Sequence, residues 1–337
     1  MIEFKTLREN DVLLWEKYFS VTQEILKRHY PEGYKADLTI SAFKDLIDTN
    51  SKTCDLYRDF LVLDDNTPTG WFDCSKYDSI LYCMYDLIPF SINEQELKLV
   101  LQKMLEVQKE AECSHIELVT YRKLLIDHFE GIQAPIAEKT LISRLNREDM
   151  NMSFYNQIVE SSKLKELKLC HYNEIPGEII ADLVNSVNNC FDDRDLLNDI
   201  RREYPPLTIE DWYKDKKHLA ERGTKLEILI LFDNNRIMGF CWVCVDSFRK
   251  DVIRHNGGFT AVNREYRGKG IAKFLKAKLY IKLLEENKDF MYITTDTMPW
   301  NKYMFRINEQ FGFKPYRNGC GFKLTADFLE PYLNKRD

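Results

Sequence analysis

The chain has 337 residues, 44% hydrophobic and 30% charged, with 13 Gly and 10 Pro, a balance that excludes a disordered or collagen-like chain. At about 100–200 residues per domain, this length suggests two domains, each able to bury a core. A formal charge of −6 argues against bulk affinity for nucleic acid or an anionic membrane, and no uncharged apolar run nears the roughly 18–20 residues that cross a bilayer.

Residues 1–10 alternate charge with bulk and hold no signal-peptide core. The nine cysteines are an odd number without framework spacing, so they read as reduced thiols in a cytoplasmic protein. Residues 2–7 read as a strand followed by a helical stretch, and residues 60–63 and 70–72 as strands around an Asp-Asn turn. A helix is predicted over 94–111, leading into a strand at 116–119.

The second half repeats this order. A strand at 167–170 precedes a helix at 178–184, strands at 228–232 and 237–245 flank a second Asp-Asn turn, and a helix over 270–286 leads into a strand at 290–294. Duplication of one α/β unit, built on a mixed α+β sheet, explains the recurrence, with the join near 156–164 and domains at 1–160 and 161–337. Cys241 and Cys244 lie three apart on an apolar strand and face opposite sides, so they read as structural; no metal site is expected. Thr208 and Asp211 mark a helix start whose Trp212 is expected to pack into the core or the domain interface.

The sharpest segment runs from Thr260 to Ala272. A strand, a short loop with Gly268 and Gly270, and a helix start converge several backbone N–H groups with the positive end of a helix, an anion cradle suited to a pyrophosphate. Apolar residues at 271, 274, 275, 279 and 283 form the buried stripe, and the Lys/Arg residues of 270–287 are expected on the solvated face.

Arg267-Gly268-Lys269-Gly270-Ile271-Ala272 fits the Arg/Gln-x-x-Gly-x-Gly/Ala signature of the GCN5-related N-acetyltransferases, and Asn301 to Phe313 resembles that family's second motif. The two motifs resemble the GNAT superfamily over about 225–325, and the whole chain is similar to tandem GNAT proteins such as the mycothiol synthase group. The resemblance implies two GNAT-like domains in tandem, each a mostly antiparallel central sheet flanked by helices.

It further implies an acyltransferase using acetyl-CoA as co-substrate and acetylating a primary amine of a small molecule. Phe259, Thr260, Ala261 and Val262 would line the pantetheine arm where the strand splays from its neighbour. The amides of Arg267, Gly268, Lys269, Gly270, Ile271 and Ala272 would hold the pyrophosphate, with Asn301 beside the arm. Asn308 stands where many members carry a tyrosine acid, and Tyr316 is a substitute from the next strand. His255 and Asp296 are the candidate bases; His255 and Phe259 would share a face if the strand is unbroken.

The loop's counterpart in the first half, residues 86–96, has no glycine and brings Glu94 and Glu96. This half therefore reads as a degenerate copy with a scaffold or acceptor-pocket role. A protein or peptide amine as acceptor, a longer acyl-CoA, or a non-catalytic CoA-binding sensor or interaction module are the alternatives. Oligomeric state and acceptor identity stay open.

Overall fold

The computed structural model describes all residues except 8–10, 31–38, 42, 45–46, 48–53, 196–205, 222, 248–249, 287–288, 300 and 336–337, with backbone alone at 191–195 and 256–257. The first strands are β1 (Ile2–Thr6), β2 (Leu56–Asp64), β3 (Thr67–Tyr77), β4 (Ile80–Leu87), β5 (His115–Thr120) and β6 (Ile136–Asn146). They are followed by β7 (Lys168–Tyr172), β8 (Thr224–Asp233), β9 (Arg236–Asp246), β10 (Val252–Val262), β11 (Tyr292–Thr297) and β12 (Lys314–Leu324). The helices used below are α1 (Val12–His29), α2 (Glu94–Glu110), α3 (Lys123–Gly131), α4 (Met152–Ser161), α5 (Gly177–Asp195), α6 (Ile209–Glu221), α7 (Ile271–Glu286), α8 (Lys302–Gln310) and α9 (Ala326–Asn334).

The chain forms two compact units, Met1–Lys139 with Asn318–Asp337 (unit 1) and Thr140–Arg317 (unit 2). The join expected near 156–164 falls inside unit 2, in α4 and a short 3-10 turn at Lys163–Glu166. Tyr155 and Val159 of α4, one helical turn apart, bury themselves in unit 2's core, so this stretch is a core helix and not a linker.

The sheet of unit 1 runs β1-β2-β3-β4-β5-β12, and that of unit 2 runs β7-β8-β9-β10-β11-β6. Their pairing is identical. In each, the first three contacts and the last are antiparallel, and the fourth, β4–β5 or β10–β11, is parallel. The strand closing each half in sequence thus belongs to the other half's sheet: β6 pairs with β11 and the end of β12 with β5.

Local chemistry repeats as well. The β2–β3 turn places Asp65 and Asn66 at φ 45° and 64°, and the β8–β9 turn places Asn234 and Asn235 at 47° and 68°. Two successive left-handed residues match the twist of a hairpin, and Asn and Asp tolerate that conformation better than other side chains. Gly70 and Gly239 sit opposite the last residues of β4 and β10. A Cβ on either would come within 2.5 Å of the Asp86 carbonyl oxygen or 2.8 Å of that of Ala261, so close strand approach explains both glycines.

Each sheet buries both faces. In unit 1, Phe72, Leu81, Met104, Phe129 and Phe322 pack under α2, α3 and α9, while Trp15, Tyr18, Ile25 and Leu61 pack under α1. In unit 2, α4 and α7 cover one face with Tyr155, Phe274, Leu279 and Ile293. The other face holds Leu183, Trp212, Ile228 and Phe240 beneath α5 and α6. Cys241 and Cys244 fall on these opposite faces and Trp212 is buried, as their strand and helix phases require.

Candidate active site

In unit 2, β10 pairs with β11 only from Val252↔Tyr292 to Arg254↔Thr294. Beyond that point residues 259–262 pair with β9, and residues 295–297 pair with β6. The β10–β11 register thus ends at Arg254↔Thr294, and the two segments diverge into a gap. The cause is an irregularity between Arg254 and Phe259, where four residues of β10 span the single residue Val243 of β9. Gly258 lies within it, and a Cβ there would come 2.0 Å from the Trp242 carbonyl oxygen.

The shift reverses the alternation of side chains. His255 therefore points toward α7, whereas Phe259 stacks on Phe240 on the opposite face. The expectation that His255 and Phe259 share a face fails for this reason. Thr260 and Val262 face α7; Ala261 joins Phe259 under α5 and α6.

After β10, a 3-10 turn at Arg264–Tyr266 leads to Gly268 and Gly270, both at φ +78°. Nothing lies within 4 Å of where their Cβ atoms would be. They are needed for left-handed backbone, and they leave the approach to the start of α7 open. Arg267 folds back so that Nε donates to the Val262 carbonyl oxygen at 3.0 Å. The first-turn amides of α7, starting at Ile271 and Ala272, have no acceptors within their own helix and carry its positive dipole end. Lys269 lies 5.2 Å from the Tyr266 ring centroid.

On the α7 side, a polar cluster lies against the diverging strands. The imidazole of His255, 4% exposed, sits 2.9 Å from the Tyr280 hydroxyl through Nδ1 and 2.8 Å from Thr260 Oγ1 through Nε2. Burial, and then the charge of Lys276, hold it well below the ordinary histidine range, so it is neutral at pH 7. Cys241 Sγ lies 3.1 Å from Thr260 Oγ1, and burial pushes its thiol up to about 11.

Lys276, 1% exposed, donates to Asn308 Oδ1 at 2.5 Å, and Asn308 Nδ2 donates to Thr297 Oγ1 at 2.9 Å. Burial lowers the Lys276 ammonium to about 8. The expectation that the basic residues of this helix are solvated fails at Lys276. A signal existed: it lies seven residues before buried Leu283 and four before Tyr280, and so shares their face.

The remaining expected residues disperse. Asp296 is exposed and faces away from α7, on the side of Phe259 and Ala261, because Thr295 and Thr297 take the inward positions. Asn301 caps α8, accepting from the Met304 amide at 3.1 Å. Tyr303 is exposed, and Tyr316 lies near Arg144 and Arg317 rather than in the cluster.

Unit 1 parts less. Its β4 and β5 share five pairs, ending at Met84↔Val119, and no irregularity interrupts β4 against β3 as far as Leu87. Arg122 precedes α3 as Asn301 precedes α8, and it donates from Nη1 to Asp86 Oδ1 and the Leu87 carbonyl, both at 3.0 Å. Its Nη2 reaches the Pro89 carbonyl at 3.1 Å. The guanidinium thus ties together the segment where unit 2 opens its glycine loop.

Among known proteins, residues 194–313 match the family model described as Acetyltransferase (GNAT) family. The sequence matches none of the curated proteins. A tandem GNAT protein from the clavulanic acid biosynthesis pathway, solved without AcCoA, has the same fold at TM-score 0.72 and 12% identity over 100% of each chain. A GCN5-related N-acetyltransferase from Sphaerobacter thermophilus aligns at TM-score 0.66 and 12% identity, over 96% of this chain and 95% of its own. A putative acetyltransferase from Pyrococcus horikoshii aligns at 0.56 and 11%, over 98% and 91%. Residues 194–313, within unit 2, thus carry a GNAT acetyltransferase domain, and the whole chain has the fold of a tandem GNAT protein.

Proposed function

We propose that unit 2 binds acetyl-CoA and transfers its acetyl group to a primary amine of a small molecule. The observation that carries this reading is the gap between β10 and β11 running toward the open glycine loop at the start of α7. Backbone amides of Arg267, Gly268, Lys269, Gly270, Ile271 and Ala272 bind the pyrophosphate. The pantetheine arm lies along Phe259, Thr260, Ala261 and Val262, which follow the last registered β10–β11 pair, and Asn301 flanks it from α8.

The acceptor amine attacks the thioester carbonyl directly. Asp296, exposed on the face of Phe259 and Ala261, takes the ammonium proton, while neutral His255 orients the Thr260 hydroxyl. Asn308 donates no proton as an acid and holds Thr297 and Lys276 in place. Unit 1, with Arg122 across the corresponding segment, serves as scaffold.

Thiol release from acetyl-CoA, measured with primary amines, amino acids and aminoglycosides, tests the reading; release dependent on at least one amine is expected. Acetyl-CoA binding without release for every amine would favour a CoA-binding sensor, an outcome that the absence of a tyrosine at 308 keeps in view. Release only with peptide amines would move the acceptor to protein.

A further inference from the structure

We propose that Lys276 is the proton donor to the departing thiolate, standing in for the tyrosine that Asn308 replaces; this rests on the acetyl-transfer reading above. An ammonium buried to 1% exposure costs several kcal/mol unless something compensates it. Lys276 has three N–H donors, and its hydrogen-bond partners are one amide oxygen, Asn308 Oδ1 at 2.5 Å, and a thioether, Met304 Sδ at 3.9 Å. No carboxylate pairs with it among the described residues. Such an amine is kept charged at a structural cost, in a place where a growing negative charge would be met.

That place is the α7 side of the gap. Asn308 links Nζ to Thr297, on the part of β11 that has left β10. The Lys276 charge also acts on His255 of β10 and Cys241 of β9. The titratable groups facing it are therefore Cys241 from β9, His255 from β10 and Tyr280 from α7 itself; α8 contributes Asn308 and Met304, and Phe313 lies 5.3 Å away at its ring centroid. None of these is the better acid. His255 is held neutral by burial, and burial raises both the Tyr280 hydroxyl and the Cys241 thiol. An ammonium titrating at about 8 is matched in strength to an alkyl thiol, where proton donation is most effective.

The step balances without a further reactant. The amine nitrogen, after losing one proton to the base, forms the C–N bond. The C–S bond breaks with its electron pair going to sulfur, and one Lys276 N–H proton passes to that sulfur. The second proton shed by the nitrogen as it becomes an amide restores the ammonium.

The test measures kcat against pH with acetyl-CoA and the best amine of the panel, and acetyl-CoA binding by calorimetry, for wild type, K276M, K276R and N308D. The wild-type profile should fall above pH about 8, as the ammonium is lost. K276M should bind acetyl-CoA within threefold of wild type, lose kcat by about 100-fold and lose the falling limb. K276R should recover part of the rate, with the limb displaced upward. N308D places a carboxylate against the amine and should also move the limb up; it keeps the lysine and carries the test if K276M does not fold. A kcat loss below tenfold, a limb that persists in K276M, a loss confined to KM, or an unmoved limb in N308D would each overturn the proposal. A wild-type chain that binds no acetyl-CoA would instead sink the reading beneath it.

Discussion

The two units share strand order, pairing, hairpin turns and the Gly70/Gly239 close approach, yet the parallel pair parts after three pairs in unit 2 and after five in unit 1. Three local differences account for this. Strand β10 carries three more residues than β4 between equivalent pairings, and the surplus forms the irregularity that parts it from β11. Gly268 and Gly270 supply left-handed backbone where unit 1 has no glycine. The helix after the parallel strand is preceded by a self-capping Asn301 in one unit and by a reaching Arg122 in the other. One fold thus parts its parallel strands early or late, and leaves the segment beyond clear or bridged by a guanidinium, according to a three-residue insertion and a few side chains.

Breaking the bridged unit should give the largest effect. Arg122→Ala leaves Asp86 buried without its guanidinium, and the expected loss is about 3–5 kcal/mol in urea unfolding. Acetyl-CoA affinity in the surviving folded protein should stay within twofold; a large loss of affinity would mean that unit 1 takes part in cofactor binding. In unit 2, Gly270→Glu forces a non-glycine residue to φ +78° and sets a carboxylate beside the phosphates. Calorimetry should show a Kd at least 100-fold weaker, about 2.7 kcal/mol.

Buried charge of opposite sign should give the units opposite pH responses. In unit 1, Asp59 and Asp73 face each other across β2 and β3. Burial raises Asp59 to about 6; burial, then the neighbouring Asp59 charge, raises Asp73 to about 8. The folded state holds these protons longer than the unfolded chain, so the benefit is full below about pH 4 and is lost as pH climbs through about 6 and about 8. Asp73→Asn should therefore raise Tm at pH 8 and much less at pH 4.

In unit 2 the Lys276 ammonium titrates at about 8 when folded and near about 10.4 when unfolded. Its cost is full below pH about 8 and is relieved between these values. Lys276→Met should stabilise the protein by about 1–3 kcal/mol at pH 7 and by less at pH 10, opposite in direction to its effect on turnover. The smallest effect is expected from Asn93→Ala, which removes the α2 cap bonded to the Glu96 amide at 3.2 Å. It should cost about 1 kcal/mol and leave acetyl-CoA affinity unchanged. Equal losses of affinity from Gly270→Glu and Asn93→Ala would erase the distinction between the units.

Much of this was legible residue by residue. The Asp-Asn turns, the apolar stripe of α7, the capping pair Thr208 and Asp211, and the glycine loop each depend on neighbours within a few positions, where side-chain chemistry and backbone geometry are coupled directly. The opposite faces of Cys241 and Cys244 followed from strand alternation alone. The irregularity at Gly257 and Gly258 was visible as a break in pattern, but its length was not, and that length decides whether His255 and Phe259 share a face. Lys276 was missed because a lysine's ordinary place is in water, and helical phase alone carried less weight than that preference.

By itself, then, the sequence determined the elements, their repetition and the position of the anion-binding loop, because short-range periodicity and turn chemistry specify them. Only the tertiary structure decided that β6 and the end of β12 enter the sheet of the other half, that Arg122 closes one gap, and that Lys276, Asn308 and Thr297 meet beside the second. These are contacts between residues from about 10 to about 200 positions apart, several of them long-range choices among strands of similar pattern. Alternation says which face of a strand is buried, and it carries no information about which neighbour the strand will pair with.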